Sequence, residues 1–359
     1  MVPDCTLTTS CFDLTGYHAK SRPLVEAIEN MRALLEVPCY LAIYTDAACF
    51  PLIQALRQPL DHLTVYIIQS FETTPYFHLV EQVKANRERS WPTRDERTCS
   101  ENHVLVNTKH AFVVKTMDAN PFRTSRFGWI DANLGKNFSK IAENYQPEML
   151  LNCLHQASDK FHIQVLTAID KKFLKRENKP EYYEQYRWVV CGSFFTTGEP
   201  IGRRVAKRMD EIFRETTEQG YGHGEEMLYL EVLEELYEDL DTTYGDYGQL
   251  LNNYAYPTRN LQFIHDHVFQ RYLNYGYHRE AYECSRKIVQ GIENGLDVSC
   301  SSQLYFSFLF GQYLAGFYAD RENARKTVDH IYHMCEIDPL LMAQFNSNRG
   351  FYEDQFKFA

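Results

Sequence analysis

The residues with the clearest capacity for chemistry are Asp131 and Asn133, which end the stretch Phe127-Gly-Trp-Ile-Asp-Ala-Asn133. The apolar residues of this stretch end with Trp129 and Ile130, and the carboxylate of Asp131 follows directly. Side chains two positions apart on a strand share one face, so Asp131 and Asn133 are expected to lie together. α/β enzymes place metal or sugar ligands at the carboxyl edge of a sheet in this way. The pattern equally suits a buried strand whose aspartate caps a helix over 134–143.

Two further acidic positions follow elements in a similar way. Asp46 ends the apolar run 39–46, where it can bind a ligand or cap the next helix. Glu225 and Glu226 begin a predicted helix after the turn 221–224, where carboxylates suit general-base chemistry and also complement the helix dipole. The sequence has no GxGxxG, P-loop, GxSxG or HExxH motif in a supporting context, which leaves kinase and serine-hydrolase functions without a basis.

The elements that must position these residues alternate in type along the first half of the chain. Strands are predicted over 7–12, 39–46 and 63–68, with amphipathic helices over 23–36 and 50–56 between them. This order predicts a parallel sheet with right-handed crossovers. Further strands are predicted over the ranges 127–131, 164–169 and 188–195.

After Gly198 the predicted elements are helices, whereas before it strands and helices alternate. Helices are predicted over the ranges 203–217, 225–240, 260–275, 278–294, 302–318 and 321–335. The helix over 302–318 combines small and aromatic residues, such as Gly311 and Phe308, as paired helices do. We therefore predict an α/β domain over 1–254 and a helical domain or extension over 255–359.

Composition limits the classes of function. The 359 residues carry 37 basic and 48 acidic side chains, for a net charge of -11, which argues against non-specific binding to nucleic acid or anionic membranes. No signal-peptide pattern opens the chain, and no run approaches the ~18 apolar residues of a membrane span. The ten scattered cysteines suit reduced thiols, so we expect a cytoplasmic protein without a transmembrane segment. The 25 tyrosines suit a helical core, an acceptor cleft or a homodimer face.

Several short motifs, taken together, resemble those of the HtrL/YibB-like family, which is similar to GT-A-type glycosyltransferases. The resemblance covers about residues 6–290. Its most specific part is Asn120-Pro-Phe-Arg-Thr124 running into Phe127-Gly-Trp-Ile-Asp131. The other matching motifs are Ile43-Tyr-Thr-Asp46, Asn107-Thr-Lys109, Gly192-Ser-Phe-Phe195, Gly222-His-Gly-Glu-Glu226 and Tyr244-Gly-Asp-Tyr247.

The resemblance implies a GT-A-like, Rossmann-type sheet, mixed but mainly parallel, flanked by helices and followed by a helical region. It implies a nucleotide-sugar donor, most plausibly linked to UDP, with Mn²⁺ or Mg²⁺ at a DxD motif matched here by Asp131 and Asn133. An amide in place of the second carboxylate predicts weaker or partial metal dependence. The donor-binding residues implied are Asp46, Lys109, Asp131, Asn133, Lys20 and Arg22, with Lys109 contacting the diphosphate as a point cation. For Lys20 and Arg22, a plain surface position is the simpler interpretation.

The same resemblance implies a glycan acceptor near Gly192, Ser193 and His223, and a general base at Glu226 or Glu225 if the enzyme inverts configuration. A second interpretation is a non-catalytic interaction protein that keeps a degenerate glycosyltransferase fold and presents its helical half to a partner. The polar residues at successive strand ends favour the enzyme, whereas Asn133 and the aromatic helices favour the interaction protein.

Overall fold

The structure is a computed structural model that describes residues 2–18, 21–90, 99–132, 145–221, 224–296, 300–319 and 321–357. Its contacts divide the chain into two compact units. The first comprises Met1–Gln164 and Lys171–Thr242, and the second comprises Val165–Asp170 and Thr243–Ala359. The division into domains at residue 254 stays a prediction, because compactness alone does not define a domain.

Seven strands form one sheet in the order β3-β2-β1-β4-β6-β5-β7. The strand β1 pairs in parallel with β2 and β4, and β2 pairs in parallel with β3, whereas β4 and β6 are antiparallel. This confirms the predicted α/β class with a mixed, mainly parallel sheet and a helical C-terminal region. The strands are β1 (Cys5–Cys11), β2 (Tyr40–Thr45), β3 (Thr64–Ile68), β4 (Arg126–Ile130), β5 (Phe161–Val165), β6 (Val190–Gly198) and β7 (Leu240–Tyr244).

The inner strands are buried along almost their whole length, although only β2 is a mainly apolar run and β1 also contains three threonines and a serine. Nearly every residue of β1 and β2 is buried. Burial on both faces requires helices on both sides, as in other parallel sheets. The helices of the first unit are Leu24–Leu35, Phe50–Arg57, Val80–Ser90, Ser100–Asn107, Lys109–Ala119, Pro147–His155, Lys179–Tyr183, Glu199–Glu218 and Glu225–Glu235. Short 3₁₀ turns cover Gln58–Leu63, Phe71–Thr73, Phe77–Leu79, Lys171–Leu174, Arg176–Asn178 and Tyr237–Asp239.

Two predicted elements differ from the structure. The strand predicted over 164–169 is Phe161–Val165, because the apolar residues from 165 to 170 belong to the second compact unit. The helix predicted over 225–240 ends at Glu235, and Leu240–Tyr244 forms a strand. That strand has a polar centre, Asp-Thr-Thr, which hid it in the sequence. The helix predicted over 134–143 lies outside the described residues.

The second compact unit is helical and is built around Ser302–Ala319, which packs against His278–Glu293 on one side and Arg321–Ile337 on the other. Gly311 lies so close to the ring of Phe269 that a Cβ there would clash, which confirms the predicted packing of small against aromatic residues. The remaining elements of this unit are Tyr247–Gln249, Leu261–Ile264, a π-helical segment His265–Phe269, Gln270–Asn274, Pro339–Ser347 and Arg349–Phe356.

In the part of the chain that the structure describes, no helix is both long enough and apolar enough to span a membrane.

Arg57 is fully buried at the base of the parallel half of the sheet. Its Nη1 donates to the carbonyls of Leu35 (2.9 Å) and Val37 (2.6 Å), and its Nη2 donates to that of Cys39 (2.7 Å). These carbonyls lie where the first helix ends and β2 begins. Burial lowers the pKa of Arg57, but three carbonyl dipoles receive its N–H groups, so the guanidinium holds the helix end against the strand.

Replacing Arg57 by Met keeps much of the apolar stem and leaves three carbonyls without their donor. We expect the free energy of unfolding to fall by about 3 kcal/mol or more, measured by urea denaturation.

The matched control is Arg32→Met, since Arg32 lies on the surface of the first helix and pairs with Glu29. An exposed ion pair of this kind contributes about 0–1 kcal/mol. Equal losses in the two variants would contradict a structural role for the buried guanidinium.

Candidate functional site

The strand order creates a crevice between β1 and β4. From β1 the chain moves outward through β2 to β3 and then returns to β4 on the other side of β1. Ligands of open α/β sheets bind at such a switch point, outside the carboxyl ends of the strands. Asp13 follows β1 and Asp131 follows β4. Asp131 was predicted from the sequence, whereas Asp13 was not, because the Thr-rich strand before Asp13 is not a clear apolar run.

Asp131 is held in place through one of its two carboxylate oxygens. Its Oδ1 accepts hydrogen bonds from Trp129 Nε1 (2.5 Å) and Lys109 Nζ (3.3 Å), and its backbone N–H donates to the carbonyl of Ser193 (2.8 Å). Its side chain is 29% exposed. Within the described residues no group donates to Oδ2. Asp131 therefore keeps one carboxylate oxygen without a hydrogen-bond donor among the described residues, on a side chain that is partly exposed.

Lys109 lies beneath Asp131 and has no exposed surface. Its Nζ donates to Asp131 Oδ1, to the carbonyl of Gly192 (2.8 Å) and to Glu225 Oε1 (2.5 Å). Burial alone would lower the pKa of Lys109, but the charges of Asp131 and Glu225 outweigh it, so the pKa is raised and the ammonium stays charged. Its three N–H groups are all used. The predicted direct contact between Lys109 and a donor diphosphate therefore needs correction, because this ammonium has no donor left.

Glu225 and Glu226 begin a helix, as predicted, after Gly224. Glu225 binds Lys109, and burial raises the pKa of Glu225, with the charge of Lys109 opposing the shift. Glu226 Oε1 accepts from the backbone N–H of Gly192 (3.1 Å), and its Oε2 accepts from Tyr186 Oη (3.2 Å). Burial and the two glutamates raise the pKa of Tyr186, so its phenol remains a donor.

Gly192 makes room for this cluster. A Cβ at this position would overlap Glu225 Oε1 and would lie 3.2 Å from Glu226 Cγ. Gly192 was predicted as an acceptor-binding residue, but the carboxylate of Glu225 occupies the space beside it. Ser193 is buried and uses its carbonyl to hold Asp131. Gly192 and Ser193 therefore help to hold Glu225 and Asp131 in place.

A second row of buried aromatic side chains supports the cluster. Tyr229 Oη lies 2.8 Å from His110 Nε2, and the imidazole stacks on Phe195 with ring centroids 4.9 Å apart. Burial, together with the charge of Lys109, lowers the pKa of His110 to about 3, so the ring is neutral at pH 7. This pair was not identified from the sequence, in which His110 is only one apolar-face position of a helix.

Asp46 closes the turn between β2 and the next helix but does not cap that helix, whose N-cap is Cys49. Its Oδ1 accepts from the backbone N–H groups of Ala48 (3.0 Å) and Cys49 (2.8 Å), and its Oδ2 accepts from that of Asp13 (2.6 Å). It thus ties the loop after β1 to the loop after β2. Binding of a donor by Asp46 stays a prediction.

The remaining predicted donor, acceptor and metal residues lie at the margin of the site or outside the described residues. Arg22 forms an (i, i+4) ion pair with Glu26 on the helix surface, with Nε and Oε1 3.3 Å apart. Lys20, Asn133 and His223 fall outside the described residues. Within the described part of the chain, no three His, Cys, Asp or Glu side chains are grouped as metal ligands.

The segment 120–124, the most specific of the sequence motifs, has a structural role. Asn120 ends a helix in the left-handed conformation, and its side-chain amide bonds both the N–H and the carbonyl of Thr124. Thr124 Oγ1 in turn lies 2.7 Å from Thr6 Oγ1 of β1. This turn sets the start of β4 and therefore the position of Asp131 at its end.

The fold and site define a class: an α/β protein with a cluster of carboxylates and one buried lysine at the switch point of a mainly parallel sheet. Residues 3–182, half of the 359-residue chain, match the HtrL_YibB family, described as a bacterial protein of unknown function. The chain belongs to this family. No curated protein sequence matches it. Among solved structures, that of mouse xyloside xylosyltransferase 1 in its apo form is similar at 12% identity, covering 66% of this chain and 84% of the mouse chain, with a TM-score of 0.35.

Replacing Gly192 by Ala should displace Glu225 and break its contact with Lys109. We expect a loss of about 2–4 kcal/mol in the free energy of unfolding, because a buried charge loses its partner and the added methyl group has no space. Urea denaturation measures this loss.

Gly16→Ala is the control, since a Cβ at Gly16 meets nothing within 4 Å. It should change stability by less than about 0.5–1 kcal/mol. A stable Gly192→Ala protein would show that Glu225 is not packed against the strand.

His110 makes stability depend on pH in a defined direction. The unfolded chain binds a proton on this histidine below its ordinary pKa of 6.5, whereas the folded chain binds it only near pH 3. Its contribution is therefore complete above pH 6.5 and is lost as the pH falls from 6.5 towards 3. Between pH 7 and pH 5 this amounts to about 2 kcal/mol. His110→Gln should lose about 2 kcal/mol less than the wild type between these pH values, measured by urea denaturation.

The exposed His62 provides the control. His62→Gln should lose stability in parallel with the wild type as the pH falls. A His110→Gln protein with the same pH dependence as the wild type would show that the buried ring takes up its proton in the folded state.

Proposed function

We propose that this protein is a glycosyltransferase that moves a sugar from a nucleotide-sugar donor, with UDP as the first nucleotide to test, to a hydroxyl group of a glycan acceptor. The observation that supports this best is Asp131: a fixed carboxylate with one oxygen available, located at the switch point of a GT-A-like sheet. The bond between the anomeric carbon and the phosphate oxygen breaks, and the nucleoside diphosphate leaves. A new bond joins the anomeric carbon to the acceptor oxygen.

The edge of the sheet is acidic, and this bears on how a diphosphate binds. Asp13, Asp46 and Asp131 follow three strands whose carboxyl ends lie at this edge. Lys109 is already saturated by its own partners. We therefore propose that Asp131 would hold a Mn²⁺ or Mg²⁺ ion together with the donor. Such ions bind through one or two carboxylates plus substrate phosphates, and Asp131 would supply one of the carboxylates. The ion would offset the charge of the departing diphosphate.

The residues around Asp131 have separable roles in this proposal. Lys109 and Glu225 are positioning residues, since they contact each other and hold Asp131 and the start of β6. Glu226 is our candidate for the general base that takes the proton from the acceptor hydroxyl. Its Oε2 is bound by a neutral phenol, that of Tyr186, whereas the carboxylate of Glu225 is paired with the ammonium of Lys109. The role for Glu226 applies to transfer with inversion of configuration.

Thermal unfolding with UDP-, GDP-, CMP- and dTDP-sugars, each with Mn²⁺ or with EDTA, tests the proposal. A ligand at ~100 times its dissociation constant stabilises the native state by roughly 2.7 kcal/mol. We expect a stabilising shift with one nucleotide family and its loss in Asp131→Asn, which keeps the size and the Oδ1 acceptor of the side chain. Release of nucleoside diphosphate in the presence of glycans should fall by at least about 100-fold in the same variant.

Asp354→Asn is the matched control, because Asp354 is an exposed aspartate on the last helix. It should behave as the wild type in both assays. If no nucleotide sugar shifts a well-folded wild-type sample, with or without Mn²⁺, the transferase is excluded and the non-catalytic interaction protein becomes the better explanation.

A further inference from the structure

Trp188 is a large aromatic side chain left in solvent beside the site. It is 52% exposed, although most aromatic residues of the first unit are buried. It lies in the irregular segment that leads into β6, two residues before Val190. Single exposed aromatic side chains are ordinary on protein surfaces, so the bearing of Trp188 on function depends on what it lies against.

Trp188 is joined to the carboxylate cluster through a single aromatic ring. Its ring lies 4.9 Å from that of Tyr186, at an interplanar angle of 59°. Tyr186 Oη donates to Glu226 Oε2. The phenol approaches the turn before the helix closely, since a Cβ at Gly224 would lie 3.1 Å from it. Tyr186 is therefore fixed at one end by the glutamate and supports the tryptophan at the other.

The strand order places this aromatic pair on a particular side of Asp131. The crevice between β1 and β4, with Asp13, lies on one side of Asp131, and β6 lies on the other. The backbone bond from Asp131 to Ser193 shows that the start of β6 runs beside the end of β4. Trp188 precedes that start. The nucleotide and the aromatic pair would thus flank the same carboxylate from opposite sides.

We propose that Tyr186 and Trp188 form the binding platform for the acceptor, with the C–H face of a pyranose ring stacked on the indole of Trp188. This inference rests on the proposed function and names the side of the site on which the acceptor binds. A pyranose has an apolar C–H face and hydroxyl groups around its edge. The platform supplies an aromatic face, and Glu226 next to it accepts hydrogen bonds from hydroxyl groups.

The polar groups beside the platform suit a sugar hydroxyl better than a phosphate. The carboxylate of Glu226 is bound to Tyr186 and Gly192. The cation between the two platform residues is already engaged, since Arg187 donates to the carbonyls of Tyr182 and Glu181 and lies over the ring of Phe173. An acceptor hydroxyl held on the platform, by contrast, would face the proposed general base.

The test uses methyl α- and β-pyranosides of glucose, galactose, mannose and xylose as probes, with binding followed by saturation-transfer NMR. We expect at least one pyranoside to bind the wild type with a saturable signal. Trp188→Ala should weaken that binding by about tenfold, whereas Trp188→Phe should retain most of it because an aromatic face remains. Phe351→Ala removes a ring of similar exposure, 54%, from the last helix and should bind as the wild type.

Three results would overturn the platform: no pyranoside binding to the wild type, unchanged binding in Trp188→Ala, or a loss in that variant of UMP, GMP or CMP binding instead of pyranoside binding. The wild-type thermal shift with nucleotide sugars separates this inference from the proposed function. A donor shift without pyranoside binding would refute the platform and leave the transferase standing. Pyranoside binding that depends on Trp188, without any donor shift, would establish a glycan site and refute the transferase.

Discussion

The site depends on one buried ammonium group. Lys109 Nζ is shared by the side chain that ends β4, the backbone near the start of β6 and the side chain that begins the helix Glu225–Glu235. Removing a charge from water is unfavourable unless it is paired and hydrogen-bonded, and here every N–H group has an acceptor. A lysine suits this position because its compact ammonium directs three donors to three different elements, whereas the planar fork of an arginine would not.

As a consequence, the charged groups of the site are held in position before any ligand binds. Asp131 is oriented by Trp129 and Lys109, and neither partner is free to rotate, since both are buried. Groups oriented in this way need little rearrangement when charge develops in a reaction. The neutral His110 and Tyr229 behind the cluster add to this rigidity without adding charge. The exposed oxygen of Asp131 is therefore the part of the cluster that can respond to a ligand.

The sequence predicted what depends on local pattern and missed what depends on distant contacts. The apolar run that ends in Asp131 and the helix that begins at Glu225 follow from periodicity and from position along an element. The role of Lys109 does not, because its partners Gly192 and Glu225 are 83 and 116 positions away. For the same reason Gly192 was predicted as an acceptor-binding residue, when it makes room for a carboxylate. Asp46 was left with two alternatives, because a helix cap and a ligand share the same pattern, and its carboxylate closes a turn instead of capping the helix.

Because β6 runs antiparallel to β4, one residue of β6, Gly192, contacts both an acidic and a basic side chain of the site. In a fully parallel sheet the carboxyl ends of neighbouring strands would meet beside Asp131. Because β6 is antiparallel to β4, its amino end lies there instead. The N–H of Gly192 consequently binds Glu226, and its carbonyl binds Lys109. One glycine thus orders an anion and a cation at once. The same antiparallel direction brings the segment before β6, with Tyr186 and Trp188, to the edge where Asp131 ends its strand. The antiparallel strand therefore divides the edge into a half of parallel strands, where Asp13, Asp46 and Asp131 lie, and a half that carries the aromatic pair.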